Sequence, residues 1–236
     1  MSLRRHLAQA ADRFIDRLAV RLLDRVQERV LHPHTLLLAE AQRQSAEYAR
    51  THMAAALVLR QREEVLRIAF SRAPVEGLIL EFGFAGGDSI RVLADREKAG
   101  RLVHGFDSFQ GLPEDWPGRH EERGHYSTGG VLPAIPGNAR LHTGLFDQTL
   151  PLFLAAHPGP VAFVHIDCDL YSSTRTVLEG LAPRLVAGTV ILFDEYFNFV
   201  GWQDHEFRAF QEFVAQRGLR YRYLCWGYQQ VAVILS

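Results

Sequence analysis

The chain has 236 residues, 47% hydrophobic and 22% charged, with a formal net charge of −1. That length holds one large domain, or one domain with an accessory segment, around a packed core. The balance gives no footprint for nucleic acid or an anionic membrane, and no run of about 18 apolar residues offers a membrane span.

Two cysteines, Cys168 and Cys225, lie in apolar runs without metal-ligand spacing, so neither a zinc site nor a disulfide framework is expected. The N-terminus lacks the apolar stretch and cleavage site of a secretion signal, and a cytoplasmic location is expected. Lys98 is the only lysine and sits in a polar helix end, leaving one candidate for any lysine chemistry.

Residues 1–70 read as helix. Arg13, Arg17, Arg21, Arg25 and Arg29 recur every four residues, and Asp16, Asp24 and Glu28 lie three residues after Arg13, Arg21 and Arg25. Side chains at that spacing meet on a helix, so the acids neutralise much of the ladder. Phe14, Leu18, Leu22 and Val26 form an apolar stripe. A solvated helix docked on its own domain or on a second subunit fits better than a membrane-binding one. The stripe makes a homodimer the expected assembly. His32-Pro33-His34 reads as a hinge, followed by a helix from Thr35 to Arg60 and another to Phe70.

From Val75 the pattern changes. GLILEFGF reads as a strand, Asp88 and Ser89 as the start of a helix, and RLVHGF as a second strand. The stretch Gly111 to Gly137 is a long loop rich in Gly, Pro and His, with Trp116, His120, His125 and Tyr126 as candidates for an acceptor pocket or lid. NARLHTGLF, VAFVHI and GTVILF follow as strands, with a helix from Ser172 to near Gly188 and another from Trp202 to Arg217. YRYLCW and QVAVIL close the chain as a hairpin. Short apolar strands alternating with helices predict an α/β, doubly wound, mostly parallel sheet with a C-terminal antiparallel hairpin. Ligands of such sheets bind beyond the carboxyl ends of the strands.

Two motifs lie at such ends. In LILEFGFAGGDS, a dinucleotide fingerprint would need glycine at positions 83, 85 and 88, but Ala85 and Asp88 occupy two of them. Glu81 would repel a pyrophosphate and suits a cationic ligand, such as the sulfonium and amino group of S-adenosyl-L-methionine. Asp107, at the end of the second strand, is placed to accept ribose hydroxyls. The second motif is a group of acids. Asp167 ends one strand, and Asp194 with Glu195 ends the next. If the two strands are neighbours, the carboxylates repel unless a cation joins them, and oxygen-only ligands suit Mg2+ or calcium. For Asp169 a metal ligand and a helix cap are equally open. A nicotinamide oxidoreductase and a non-catalytic binding protein of the same fold stand as alternatives.

Taken in order, EFGFAGGDS, GFDSFQGLPEDW, GLFDQTLP, VHIDCDLYSST and GTVILFDEY resemble the macrocin O-methyltransferase family. The resemblance covers Gly77 to Tyr196. It implies a class I methyltransferase domain over residues 71–236, with a seven-stranded Rossmann-like sheet, after an N-terminal helical extension over residues 1–70. It further implies O-methylation of a small-molecule hydroxyl, such as an antibiotic sugar, using S-adenosyl-L-methionine and a divalent metal. Carried over residue by residue, Glu81, Gly83, Ala85 and Ser89 would hold the methionine part. Asp107 and Ser108 would hold the ribose, and Phe146 with Asp147 would lie near the adenine. Asp167, Asp194 and Glu195 match the metal ligands, although the family usually has a second aspartate at the last position. Related catechol-type enzymes place a lysine base where this chain has Leu170. Asp167 is therefore the candidate to orient or deprotonate the acceptor, with His205 and Glu206 as secondary candidates for base or substrate contact and His165 as a structural residue.

Overall fold

A computed structural model describes residues 2–236, with side-chain surroundings from Phe14 onward; the Arg13 end of the arginine ladder lies outside the described side chains. Helix α1 (Ser2–Leu31) parts from α2 (Pro33–His52) at His32, whose Nδ1 accepts the His34 N–H at 3.1 Å. Pro33 takes the first helical position, where a missing N–H costs nothing. Of the two docking surfaces expected for α1, its own domain or a second subunit, the structure excludes its own domain. Phe14, Leu18, Leu22 and Val26 are between 48% and 67% exposed, so the stripe faces outward from the chain's own body. Helix α2 is packed, burying Ala41, Ser45 and Ala49. It ends eight residues earlier than expected and is followed by a two-residue strand, β1 (Leu57–Val58), and by α3 (Arg62–Phe70).

The alternating region follows as β2 (Leu78–Phe82), α4 (Asp88–Arg96), β3 (Val103–Asp107), β4 (Ala139–Thr143), α5 (Phe146–Ala156), β5 (Val161–Ile166), α6 (Tyr171–Leu181), β6 (Val190–Phe193), α7 (Glu206–Arg217), β7 (Tyr221–Trp226) and β8 (Val231–Leu235). Helix α5 was not expected: Pro151 lies inside it, and its apolar residues are too dense to show a face. The strands form one sheet in the order β1-β7-β8-β6-β5-β2-β3-β4. β8 runs antiparallel to β6 and β7, and every other pairing is parallel. The mostly parallel sheet and closing hairpin match the reading from sequence, with β1 as an added eighth strand.

Both faces of the sheet are covered. Leu80, Phe82, Val164, Ile166, Ile191 and Phe193 join the core under α5, α6 and α7, and Ile79, Phe163, Val190 and Leu192 join the core under α3 and α4. Each such side chain contributes roughly 1.5–3 kcal/mol relative to exposure, which explains near-continuous apolar strands. Chain order reverses between β2 and β5: the first is followed outward by β3, the second by β6. That switch point opens a crevice at the strand carboxyl ends.

Candidate active site

A cleft of about 640 Å³ lies at the carboxyl ends of β2, β3, β5 and β6. Its first part is the turn after β2. Gly83 has φ +77°, and a Cβ there would sit 1.9 Å from the Asp167 carbonyl oxygen. Only glycine lets the β2 and β5 exits come this close. Asp107 shapes the same turn from β3. Its Oδ2 accepts the N–H groups of Phe84 and Ala85 at 3.0 Å each, and its Oδ1 accepts that of Phe109 at 2.7 Å. Gly83, Ala85, Ser89, Asp107, Ser108, Phe146 and Asp147 all line the cleft. Glu81 does not: it is fully buried and bonds His165 Nδ1 at 2.8 Å, one strand over in register.

The second part is acidic. β5 and β6 are parallel neighbours, as the motif reading required, so their ends bring Asp167, Asp194 and Glu195 together. The carboxylates divide into two groups. Asp194 is turned toward cations and donors. Its Oδ1 accepts from Arg62 Nε at 2.8 Å and from His165 Nε2 at 3.4 Å, and its Oδ2 accepts from Gln230 Nε2 at 3.3 Å. Burial disfavours its charge, but the bonds from His165 and Arg62 outweigh that and hold Asp194 below the usual carboxylate range. Burial also opposes charge on His165, yet its bonds to Asp194 and Glu81 bring it up to about 10. Asp167 is pushed up to about 7, by burial and then by the charge of Asp194, while Arg62 pulls the other way.

The other group is Asp167, Asp169 and Glu195, each offering a carboxylate oxygen within 4.8 Å of the others. Burial and then the neighbouring acids push Asp169 and Glu195 well above the usual range. Glu195 Oε2 is buried without a partner. An oxygen-only set with an unsatisfied buried oxygen fits a hard divalent cation. Asp169 holds its place through a left-handed backbone, φ +63°, a conformation costing ~1–3 kcal/mol for a residue other than glycine. Below them Glu206, fully buried at the start of α7, accepts the N–H of Cys168 at 3.2 Å and of Glu195 at 3.0 Å.

His205 is not at the cleft. Its Nε2 bonds the Pro117 carbonyl at 3.0 Å, and its ring packs against Trp116 and Phe199. The Gly111–Gly137 loop is pinned rather than free. Trp116 is buried in the main core, the Leu112 N–H donates to the His125 carbonyl at 2.9 Å, and Arg119 lies 4.4 Å over the Trp116 ring. Tyr126, with Leu112 and Pro113, walls the cleft, whereas His120 faces His34 on α2. Arg62 was missed from sequence: it precedes Asp167 by 105 residues, and no motif marks it.

Comparisons with known proteins agree with the motif reading. The methyltransferase domain family profile matches residues 80–196. A curated relative, the 8-demethyl-8-(2,3-dimethoxy-alpha-L-rhamnosyl)-tetracenomycin-C 4'-O-methyltransferase of Streptomyces olivaceus, is 34% identical over 144 residues, 52% of this chain. The match spans about half the length of that relative, 54%. Among solved structures, the calicheamicin methyltransferase CalS11 superimposes with a TM-score of 0.60 at 24% identity, over 73% of this chain and 76% of that one. The O-methyltransferase NovP gives 0.56 at 21% identity, over 73% and 78%. Among the described residues no helix is long and apolar enough to cross a membrane. Residues 80–196 thus match the methyltransferase domain profile, and the chain shares its fold with CalS11 and NovP.

Proposed function

We propose that the chain transfers a methyl group from S-adenosyl-L-methionine to a hydroxyl of a sugar-bearing small molecule. The observation that carries this is the shared cleft: a glycine turn organised by Asp107 opens directly onto the carboxylates of Asp167, Asp169 and Glu195. The name of the Streptomyces olivaceus relative, which specifies a rhamnosyl acceptor, supports a deoxysugar hydroxyl.

In this reading Gly83, Ala85 and Ser89 receive the methionine part, Asp107 and Ser108 the ribose, and Phe146 with Asp147 the adenine. Glu81 acts from behind, by holding His165. Methyl transfer needs donor and acceptor aligned within about 3–3.5 Å, and the rigid strand ends provide that alignment. Asp167 faces the cleft with its pKa raised to about 7, which suits a group that takes or steers the acceptor proton. Asp167, Asp169 and Glu195 would hold a divalent ion, with Asp194 beside them. Such an ion would supply a lowered pKa for the acceptor hydroxyl. The outward stripe of α1 supports a homodimer.

Titration calorimetry with S-adenosyl-L-homocysteine tests the cofactor half, and absence of binding at millimolar ligand would sink it. Incubation with rhamnosylated acceptors and labelled methyl donor tests the other half. Asp167→Asn should retain nucleoside binding and lose transfer; full transfer would remove Asp167 from the mechanism.

A further inference from the structure

We propose that Arg62 is a resident counter-cation of the acidic cluster, and that a divalent ion enters only by displacing its guanidinium from Asp167. The inference rests on the metal-assisted reading above. Its ground is the guanidinium fork itself. Arg62 Nε donates to Asp194 Oδ1 at 2.8 Å while Nη2 of the same group donates to Asp167 Oδ2, so one planar cation bridges the ends of β5 and β6. Asp167 also belongs to both sets of residues whose ligand atoms converge closely enough to bind an ion. Guanidinium and ion therefore compete for one carboxylate.

The surroundings give this competition two stable arrangements. Arg62 is the first residue of α3, and its side chain is 52% exposed, so it has solvent to move into. Asp194 stays satisfied when it leaves, because His165 and Gln230 still donate to it. With the guanidinium in place, the carboxylates are held together without an ion; with neither cation, their mutual repulsion would force them apart or into protonation. The ion's apparent affinity is reduced by the fraction of molecules in which Arg62 has moved away. Lysine cannot replace the fork, because a single ammonium lacks its fixed pair of parallel donors.

Binding of Mn2+, followed by loss of the free-ion electron paramagnetic resonance signal, tests this in wild type, Arg62→Ala and Arg62→Lys. S-adenosyl-L-homocysteine binding and far-ultraviolet circular dichroism report whether each variant folds. Arg62→Ala should bind Mn2+ at least about tenfold more tightly than wild type, with Arg62→Lys between them. Should the alanine variant not fold, the lysine variant alone must bind more tightly. Equal or weaker binding by the folded variants overturns the role of Arg62 and leaves the metal reading standing. No Mn2+ binding by any of the proteins, with the nucleoside still bound, removes the metal reading and this inference with it.

Discussion

Two glycines three residues apart in the first turn separate packing from mere flexibility. At Gly83 a methyl group would lie 1.9 Å from the Asp167 carbonyl oxygen, whereas at Gly86 it would meet nothing within 4 Å. Carbon and carbonyl oxygen settle at roughly 3.3 Å or more, so Gly83→Ala must part the β2 and β5 exits by more than about 1 Å. A left-handed backbone adds ~1–2 kcal/mol for alanine, and overpacking of this kind adds ~1–3 kcal/mol. A loss of about 3 kcal/mol lowers the melting temperature of a chain this long by roughly 10 °C. The same displacement moves Asp167, and misplacement of about 1 Å can cost transfer around 100-fold. Gly86→Ala, with ordinary φ and open space, should melt within about 2 °C of wild type. Differential scanning calorimetry of both variants decides the matter. Equal melting temperatures for the two would refute the argument that contact with Asp167, not turn flexibility, fixes glycine at position 83.

A second prediction concerns His104, buried beside His142 and held down to about 4 by burial and then by the charges of His142 and His157. A histidine whose folded pKa lies below its unfolded 6.5 binds fewer protons when folded, so stability is full above 6.5 and is lost as pH falls toward 4. Between pH 7 and pH 5 this group should cost about 2 kcal/mol, and urea melts of His104→Phe should lack that component; an unchanged pH profile would refute it. A third prediction concerns the loop anchor. Trp116→Ala removes a ring only 1% exposed and should cost about 3–5 kcal/mol, with faster proteolytic cleavage between Gly118 and Gly130. Wild-type protease resistance would mean that the loop is held by other contacts.

The strand ends were legible because apolar runs stop at charged residues, and a parallel sheet puts those stops on one edge. That logic placed Asp107, Asp167, Asp194 and Glu195 at strand carboxyl ends, and the structure has all four lining one cleft. It failed where tertiary packing decides. Arg62 sits in an ordinary helical stretch and gains meaning only when α3 docks against the β5 and β6 ends. For Asp169 the sequence left metal ligand and helix cap equally open, and only the fold gathers it with Asp167 and Glu195. His205 resembled a base beside the fifth predicted strand, but the turn before α7 points it at Pro117. β1, with two exposed residues, carries no pattern that a sequence could show.

The family match ends at residue 196, yet the acidic pocket does not. Its balancing donors come from outside: Arg62 from before the matched stretch, and Gln230 from after it. A chimera that transplanted residues 80–196 into a related scaffold would import the carboxylates stripped of their counterweights. Donor and recipient should instead be joined outside α3 and β8, so that the acids travel with the residues that make them tolerable.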